Sequence, residues 1–143
     1  MRVAAIDLGA VRVGLALSDE LGWMAHPRPP LDGRKREALL VRLAELAKEE
    51  QLGQFLVGLP VHLDGHEGPE ARRARAFAAA LGERTGLPVE LCDERWTTRE
   101  ASVRLRAGGT NSREGRARID GAAAAVMLQS WLDARRGADG GQT

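Results

Sequence analysis

The apolar run Val3-Ala4-Ala5-Ile6 ends on a carboxylate, Asp7, and Gly9 and a second apolar stretch, Val13 to Leu17, follow at once. This opening constrains the fold more than any other segment. Residues 2–7 and 11–18 are two strand-forming runs joined by a few residues, which predicts a β-hairpin at the start of the sheet. An acid at the end of a buried strand costs free energy unless its charge meets a metal or a hydrogen-bond donor. The neighbouring glycines carry no side chain, so a backbone or a ligand can come close, and Gly9 would keep the turn clear for a phosphate. A carboxylate on the first strand of such a hairpin suits divalent-metal phosphate chemistry.

The remaining elements follow from periodicity and punctuation. Residues 23–31 contain Pro27, Pro29 and Pro30 and can form only a short edge strand or a loop. Leu39, Leu43 and Leu46 repeat at helical spacing within a helix expected over Arg34–Glu50. Phe55 to Leu59 is a continuous apolar run ended by Pro60, the pattern of a strand buried on both faces. Residues 61–68 form a loop, and Pro69 opens a helix to about Arg84 that Gly86 and Pro88 close. Val89 to Cys92 is another strand, with Asp93-Glu94-Arg95 at its end. Thr97 or Thr98 caps a further helix that stops near Gly108-Gly109, residues 108–116 form a polar loop, and Ile119 to Arg135 form the last helix. The order predicts an α/β fold: a mixed five-stranded sheet, an antiparallel opening hairpin then parallel strands, flanked by helices. Residues 1–136 make a single domain, long enough to bury a core, and 137–143 a flexible C-terminal tail.

Three acidic positions stand at strand ends or helix starts: Asp7, the Asp93-Glu94 pair and Asp120. Ligands of open α/β sheets bind beyond the carboxyl ends of the strands, where Asp7 and Glu94 would both lie. Asp120, in the first turn of the last helix, could face the same edge. Converging carboxylates are hard oxygen ligands suited to Mg²⁺ or Mn²⁺, and two such ions about 4 Å apart can activate water and stabilise the leaving oxygen of a phosphodiester. Whether Asp93 or Glu94 faces the metals depends on register, since a slip of one residue swaps the faces; Glu94 is preferred. Each acid also has a plainer explanation: Asp120 as compensation of the helix dipole, Glu94 as the ion-pair partner of Arg95.

The net charge is only +1, so a nucleic-acid partner must be argued from where the charge sits. Between Arg99 and Arg118 stand Arg99, Arg104, Arg106, Arg113, Arg116 and Arg118 against Glu100 and Glu114 alone. A basic loop beside an acidic metal site would neutralise phosphates and position the strand, whereas the plainer alternative is a solvated surface loop. The aromatic residues are Phe55, Phe77, Trp23, Trp96 and Trp131, a poor supply for stacking single-stranded bases, and Trp96 beside Arg95 is the one candidate. His26, His62 and His66 fall in expected loops and read as solvent-facing; Asp64-Gly65 argues against a helical zinc pair. Cys92 reads as a core residue, and a single cysteine fits a reducing compartment. With no basic-then-apolar leader and no apolar run near about 18 residues, the expected setting is cytoplasmic, with no membrane partner.

Four motifs in order resemble the YqgF family of RNase H-like proteins over residues 1–134. They are Asp7-Leu8-Gly9 with Arg12 to Ala16 and Ser18-Asp19; Val57 to Pro60 followed by Asp64-Gly65 and Gly68-Pro69; Asp93-Glu94-Arg95 with Thr97-Thr98; and Ile119 to Ala123 with Leu128-Gln129. The resemblance implies an RNase H-like fold and a metal-dependent nuclease, acting in 5′-end processing of pre-16S ribosomal RNA or in Holliday-junction resolution. It implies Asp7, Glu94 and Asp120 as the catalytic acids, with Asp93 a further possible metal ligand. Arg12, Arg95, Thr97 and Thr98 fall at polar positions around them, and Arg104, Arg113, Arg116 and Arg118 would add nucleic-acid contacts. Departures are mild: Trp96 stands where an aliphatic residue is usual, arginines replace lysines in the basic loop, and Gly121 would loosen its end of the helix.

Two other functional classes compete. The Asp-Leu-Gly hairpin is also similar to the phosphate loop of actin- and hexokinase-like ATPases, but those bind nucleotide between two such domains and this chain has length for one. A non-catalytic RNA-binding assembly module, acting on pre-ribosomal particles, would need the basic loop and no metal. Among nucleases, resolution of a twofold-symmetric branched DNA calls for a homodimer, whereas trimming of structured RNA suits a monomer.

Overall fold

A computed structural model describes residues 1–93 and 113–140, and in the last helix the side chains of 121–136. Its elements are β1 (Arg2–Asp7), β2 (Arg12–Ser18), β3 (Ala25–Asp32), α1 (Arg36–Glu49), β4 (Leu52–Leu59), α2 (Pro69–Thr85), β5 (Val89–Asp93) and α3 (Arg113–Gly140). The five strands form one sheet in the order β3-β2-β1-β4-β5. β1 pairs antiparallel with β2 and parallel with β4, and β4 pairs parallel with β5. The expected mixed sheet is therefore present, and the carboxyl ends of β1, β4 and β5 share one edge. The helix expected between Thr97 and Gly109 lies outside the described residues.

The proline-rich segment is a strand at the edge next to β2. Its three prolines withhold backbone donors, so they are tolerated there and would discourage addition of another strand. β4, between β1 and β5, is buried from Phe55 to Leu59, as the unbroken apolar run requires.

Alternation along the strands splits the core in two. Ala4 and Ile6 of β1, Val13, Leu15 and Leu17 of β2, and Phe55 and Val57 of β4 pack with Leu39, Leu43, Phe77 and Leu81 of α1 and α2. Val3 and Ala5, Ala16, and Leu56 face the other way and pack with Ala124, Met127, Leu128 and Leu132 of α3. Leu132 is thus core, while Trp131 sits at the rim of this cluster, its indole N–H donating to Glu90 and its ring under the Arg135 guanidinium.

The last helix is longer than Ile119–Arg135. It begins at Arg113, taking residues 113–116 from the expected loop, and continues to Gly140 through part of the expected tail. Arginine, glutamate and alanine are strong helix formers, and one interior glycine such as Gly115 costs only about 1 kcal/mol. Gly121 does not loosen the helix. A Cβ there would lie 3.3 Å from Pro27 Cβ and 3.4 Å from the Arg28 carbonyl oxygen, so the missing side chain lets α3 lie close to β3. Gln129 fastens the same junction: its side-chain oxygen accepts from the Ala25 N–H at 2.8 Å, and its amide donates to the Trp23 carbonyl at 2.9 Å.

Candidate active site

Asp7 is the last residue of β1, at the edge where the parallel strands end. Strand alternation places it on the face of Val3 and Ala5, the face that α3 covers. Its partner on β2 is Gly14. On the other side Ile6 is level with Val57, so Gly58 comes next to Asp7 on β4. The carboxylate therefore lies between two glycines, and neither neighbouring strand contributes a side chain beside it. Gly14 and Gly58 belong to the motifs Arg12 to Ala16 and Val57 to Pro60, but their place beside Asp7 depends on register and neither motif alone discloses it.

Arg12, at the start of β2, shares the α3 face with Gly14, Ala16 and Ser18, since Val13 points into the opposite cluster. Ser18 is the one buried polar residue among those described; its hydroxyl accepts the Val3 N–H at 2.9 Å, which secures the far end of β1. Asp19 accepts the Trp23 N–H at 2.8 Å, and this bond, with further backbone donors in the turn, holds its carboxyl below the ordinary carboxylate value. Of the motif Ser18-Asp19, then, both residues build structure.

The turn between β1 and β2 differs from expectation. A Cβ on Gly9 would lie 2.3 Å from the Arg12 carbonyl oxygen, so the space beside Gly9 is filled by the turn's own backbone. Glycine is required there to close the turn, and the place of its missing side chain is not open to a phosphate.

Asp93 closes β5 and has the parity of Val89 and Leu91, which pack on the α1/α2 cluster, while Cys92 packs on the α3 cluster. Asp93 is thereby assigned to the face opposite Asp7. Glu94, Arg95, Thr97, Thr98 and Arg104 lie outside the described residues, as does Trp96. Asp120 is the eighth residue of α3, not in its first turn. Compensation of the helix dipole acts within the first turn, so that plain explanation of Asp120 no longer holds. Asp120 is one turn before Ala124, whose side chain packs on the sheet beside Ala5 and Ala16. Arg113, Arg116 and Arg118 occupy the first two turns of this helix rather than a loop.

His62 and His66 are exposed in the loop after β4, their rings stacked 5.4 Å apart, with Gly65 in the left-handed conformation between them. The helical zinc geometry is absent, as the Asp64-Gly65 turn implies. Among the described residues no three His, Cys, Asp or Glu side chains converge as a metal site, and no helix is long and apolar enough to cross a membrane.

Comparison with known proteins gives this geometry a context. Residues 1–134 match the family model RuvX, described as Holliday junction resolvase. A protein of Anaeromyxobacter sp. (strain Fw109-5) named "Putative pre-16S rRNA nuclease" is 50% identical over 135 residues, covering 94% of this chain and 98% of its own length. A protein of the same name from Rhodopirellula baltica is 40% identical over 137 residues, covering 94% of this chain and 78% of its own. Among solved structures, Thermus thermophilus RuvC in complex with a Holliday junction superposes with a TM-score of 0.61 at 19% identity, covering 96% of each chain. The fowlpox virus resolvase bound to Holliday junction DNA gives 0.56 at 9% identity, over 94% of this chain and 98% of the other. These two share the RNase H-like resolvase fold with this chain. The match over nearly the whole length, together with relatives at half identity, shows that this chain is a member of the RuvX (YqgF) family.

Proposed function

We propose that the protein is a divalent-metal-dependent nuclease whose centre is Asp7. One observation carries the reading: Asp7 ends a buried strand on the α3 face, at the edge where β1, β4 and β5 end, with glycine on both neighbouring strands. A phosphodiester can approach such a carboxylate from above the sheet without meeting a side chain of either neighbour. Glu94 and Asp120 complete the acidic set. Asp93 has the opposite parity to Cys92 and is assigned to the face away from Asp7, which favours Glu94 over Asp93 as the ligand. Asp120, one turn before Ala124, comes from the helix that covers this face. A donor set of carboxylates fits Mg²⁺ or Mn²⁺ and not a soft metal. Such ions, when bound, supply an activated water and stabilise the leaving oxygen. Arg12, on the same face, would bind a phosphate flanking the scissile one, and Arg113, Arg116 and Arg118 extend the positive charge along the start of α3.

The names carried by relatives 40–50% identical favour pre-16S ribosomal RNA as substrate; processing of its 5′ end in the cytoplasm is the reaction we infer. The second reading, resolution of four-way DNA junctions, draws on the family description and on the fold shared with the junction-bound resolvases. Parallel cleavage of a pre-16S leader RNA and a synthetic four-way junction, each with Mg²⁺ or Mn²⁺, separates the two. Cleavage of the RNA alone by a monomer supports the first; symmetric nicking of the junction by a dimer supports the second. No cleavage of either, with RNA binding that persists in EDTA and after neutralisation of all three acids, would replace both by a non-catalytic assembly module.

A further inference from the structure

Between the β1–β2 turn and the helices α1 and α2 lies a cavity of about 90 Å³, bordered by Gly9, Ala10, Gly33, Arg36, Arg73 and Phe77 among others. A single water needs only roughly 10–15 Å³ by the same measure, so a group of several heavy atoms fits. Four separate segments build it: the hairpin turn, the residue after β3, the start of α1 and the first half of α2. Gly33 is pressed against the turn, since a Cβ there would lie 2.7 Å from Val13 Cγ2 and 3.0 Å from the Gly9 carbonyl oxygen. The floor is apolar, from Phe77 and its neighbours.

Among the described residues the charge lining this cavity has one sign: Arg36 and Arg73 border it and no Asp or Glu does. Two acids of the adjoining segments are engaged elsewhere, Glu37 with Arg84 at 2.6 Å and Asp32 with Arg34 at 2.8 Å, while Glu70 lies one turn before Arg73 on α2 and does not line the cavity. Arg36 uses one Nη2 donor on the Ala76 carbonyl at 3.3 Å and keeps the rest of its fork. Arg73 has no ion pair or hydrogen bond among the described residues. Two arginines with unused donors bordering a small concave site match a tetrahedral oxyanion, which arginine grips in bidentate fashion.

We infer that this cavity is a phosphate subsite, separate from the metal-binding edge, that takes a phosphate ester. Gly9 is two residues from Asp7, about 7 Å along the chain. A nucleic-acid strand with its scissile phosphate at Asp7 would need to cross the turn to seat a neighbouring phosphate between Arg36 and Arg73. Only this source of the phosphate rests on the nuclease reading; a free phosphate ester would use the same chemistry.

The test follows the backbone amides of Gly9, Ala10 and Gly33 by NMR as inorganic phosphate, and then a short RNA oligonucleotide in EDTA, is added to the full chain. Both probes shifting the same amides in competition assigns the site to the bound strand. Shifts with phosphate that RNA neither reproduces nor displaces assign it to a free phosphate ester. The double substitution Arg36→Gln/Arg73→Gln abolishes the shifts in either case. Arg73→Gln alone, which breaks no bond of the fold, weakens RNA binding roughly tenfold, the low end for a charge-assisted hydrogen bond, if the strand is the source. Its salt dependence then falls by about one unit of slope. Amides unmoved by both probes, or a double variant responding like the wild type, overturn the inference. Cleavage by Asp7→Asn at the wild-type rate would overturn the nuclease reading and leave these titrations unaffected.

Discussion

The face of the sheet under α1 and α2 is filled by large side chains, with Ile6, Leu15, Leu17, Leu43, Phe55 and Leu81 at its centre. The face under α3 is a smaller cluster that mixes Val3, Leu56, Met127, Leu128 and Leu132 with the small Ala5, Ala16 and Ala124, and has Gly14 and Gly58 near the edge and Gly121 where α3 meets β3. Both pack closely, but they do different work. Large aliphatic groups give most of the area removed from water, roughly 1.5–3 kcal/mol for each side chain fully buried. Small ones give little area and bring backbones together, which sets a helix at a defined height over a strand end. More of the buried area thus lies on the α1/α2 face, while the closest backbone approaches lie on the other, to which Asp7 belongs.

Damage to each face should separate these roles. The largest effect expected is on chemistry: Asp7→Asn lowers metal-dependent cleavage by at least about 10³-fold, while the melting temperature stays within a few degrees of wild type. Loss of folding in that variant would contradict the division. Next comes Phe55→Ala on the other face, where a fully buried ring is lost; about 3–5 kcal/mol of stability should disappear in urea unfolding. Its cleavage rate per folded molecule should hold, and a selective fall in rate would show that the two faces are coupled.

A smaller effect is expected at the α3 junction. Gln129→Ala removes the bonds to Ala25 and Trp23 and should cost about 1 kcal/mol, with a fall in cleavage that exceeds the loss of folded protein. Equal losses would mean that α3 is held by its apolar contacts alone. The smallest effect lies on the rim between the faces. Arg34 donates to Asp32 and holds its carboxyl at about 2, against an ordinary value of 3.8. A carboxylate lowered in the folded state contributes stability that is complete above about pH 4 and is lost as pH falls through 2. Asp32→Asn should therefore flatten the fall in melting temperature between pH 4 and pH 2 without altering cleavage near neutrality. An unchanged slope would assign the acid sensitivity to Glu67, which Arg75 also holds below its ordinary value.

What the chain discloses before its structure is known follows the same division. The hairpin, β4 and the first two helices are legible because their apolar spacing is local and their ends are marked by proline and glycine. β3 is legible as an edge strand because three prolines leave it no other place in a sheet. Asp7 stands out as a charge among buried neighbours. The start of α3 is not legible: Asn111-Ser112 and Gly115 read as a loop, whereas the structure has helix from Arg113. The choice between Asp93 and Glu94 is equally hidden, since it depends on how β5 registers against β4. The approach of Gly58 to Asp7 and the cavity at Arg36 and Arg73 are assembled from segments far apart in sequence, so no local pattern announces them. Gly9 shows the converse case, a correct signal with the wrong reason, because its missing side chain makes room for the Arg12 carbonyl and not for a ligand.

The central claim, that a divalent ion binds on the α3 face beside Asp7, is tested most directly by Mn²⁺ titration of the labelled protein, with amide resonances followed for paramagnetic broadening. The account predicts early loss of the Asp7, Gly14 and Gly58 signals, survival of those of Leu43 and Phe77 on the opposite face, and no such selective loss in Asp7→Asn. Broadening centred away from Asp7, or an unchanged pattern in Asp7→Asn, would contradict it.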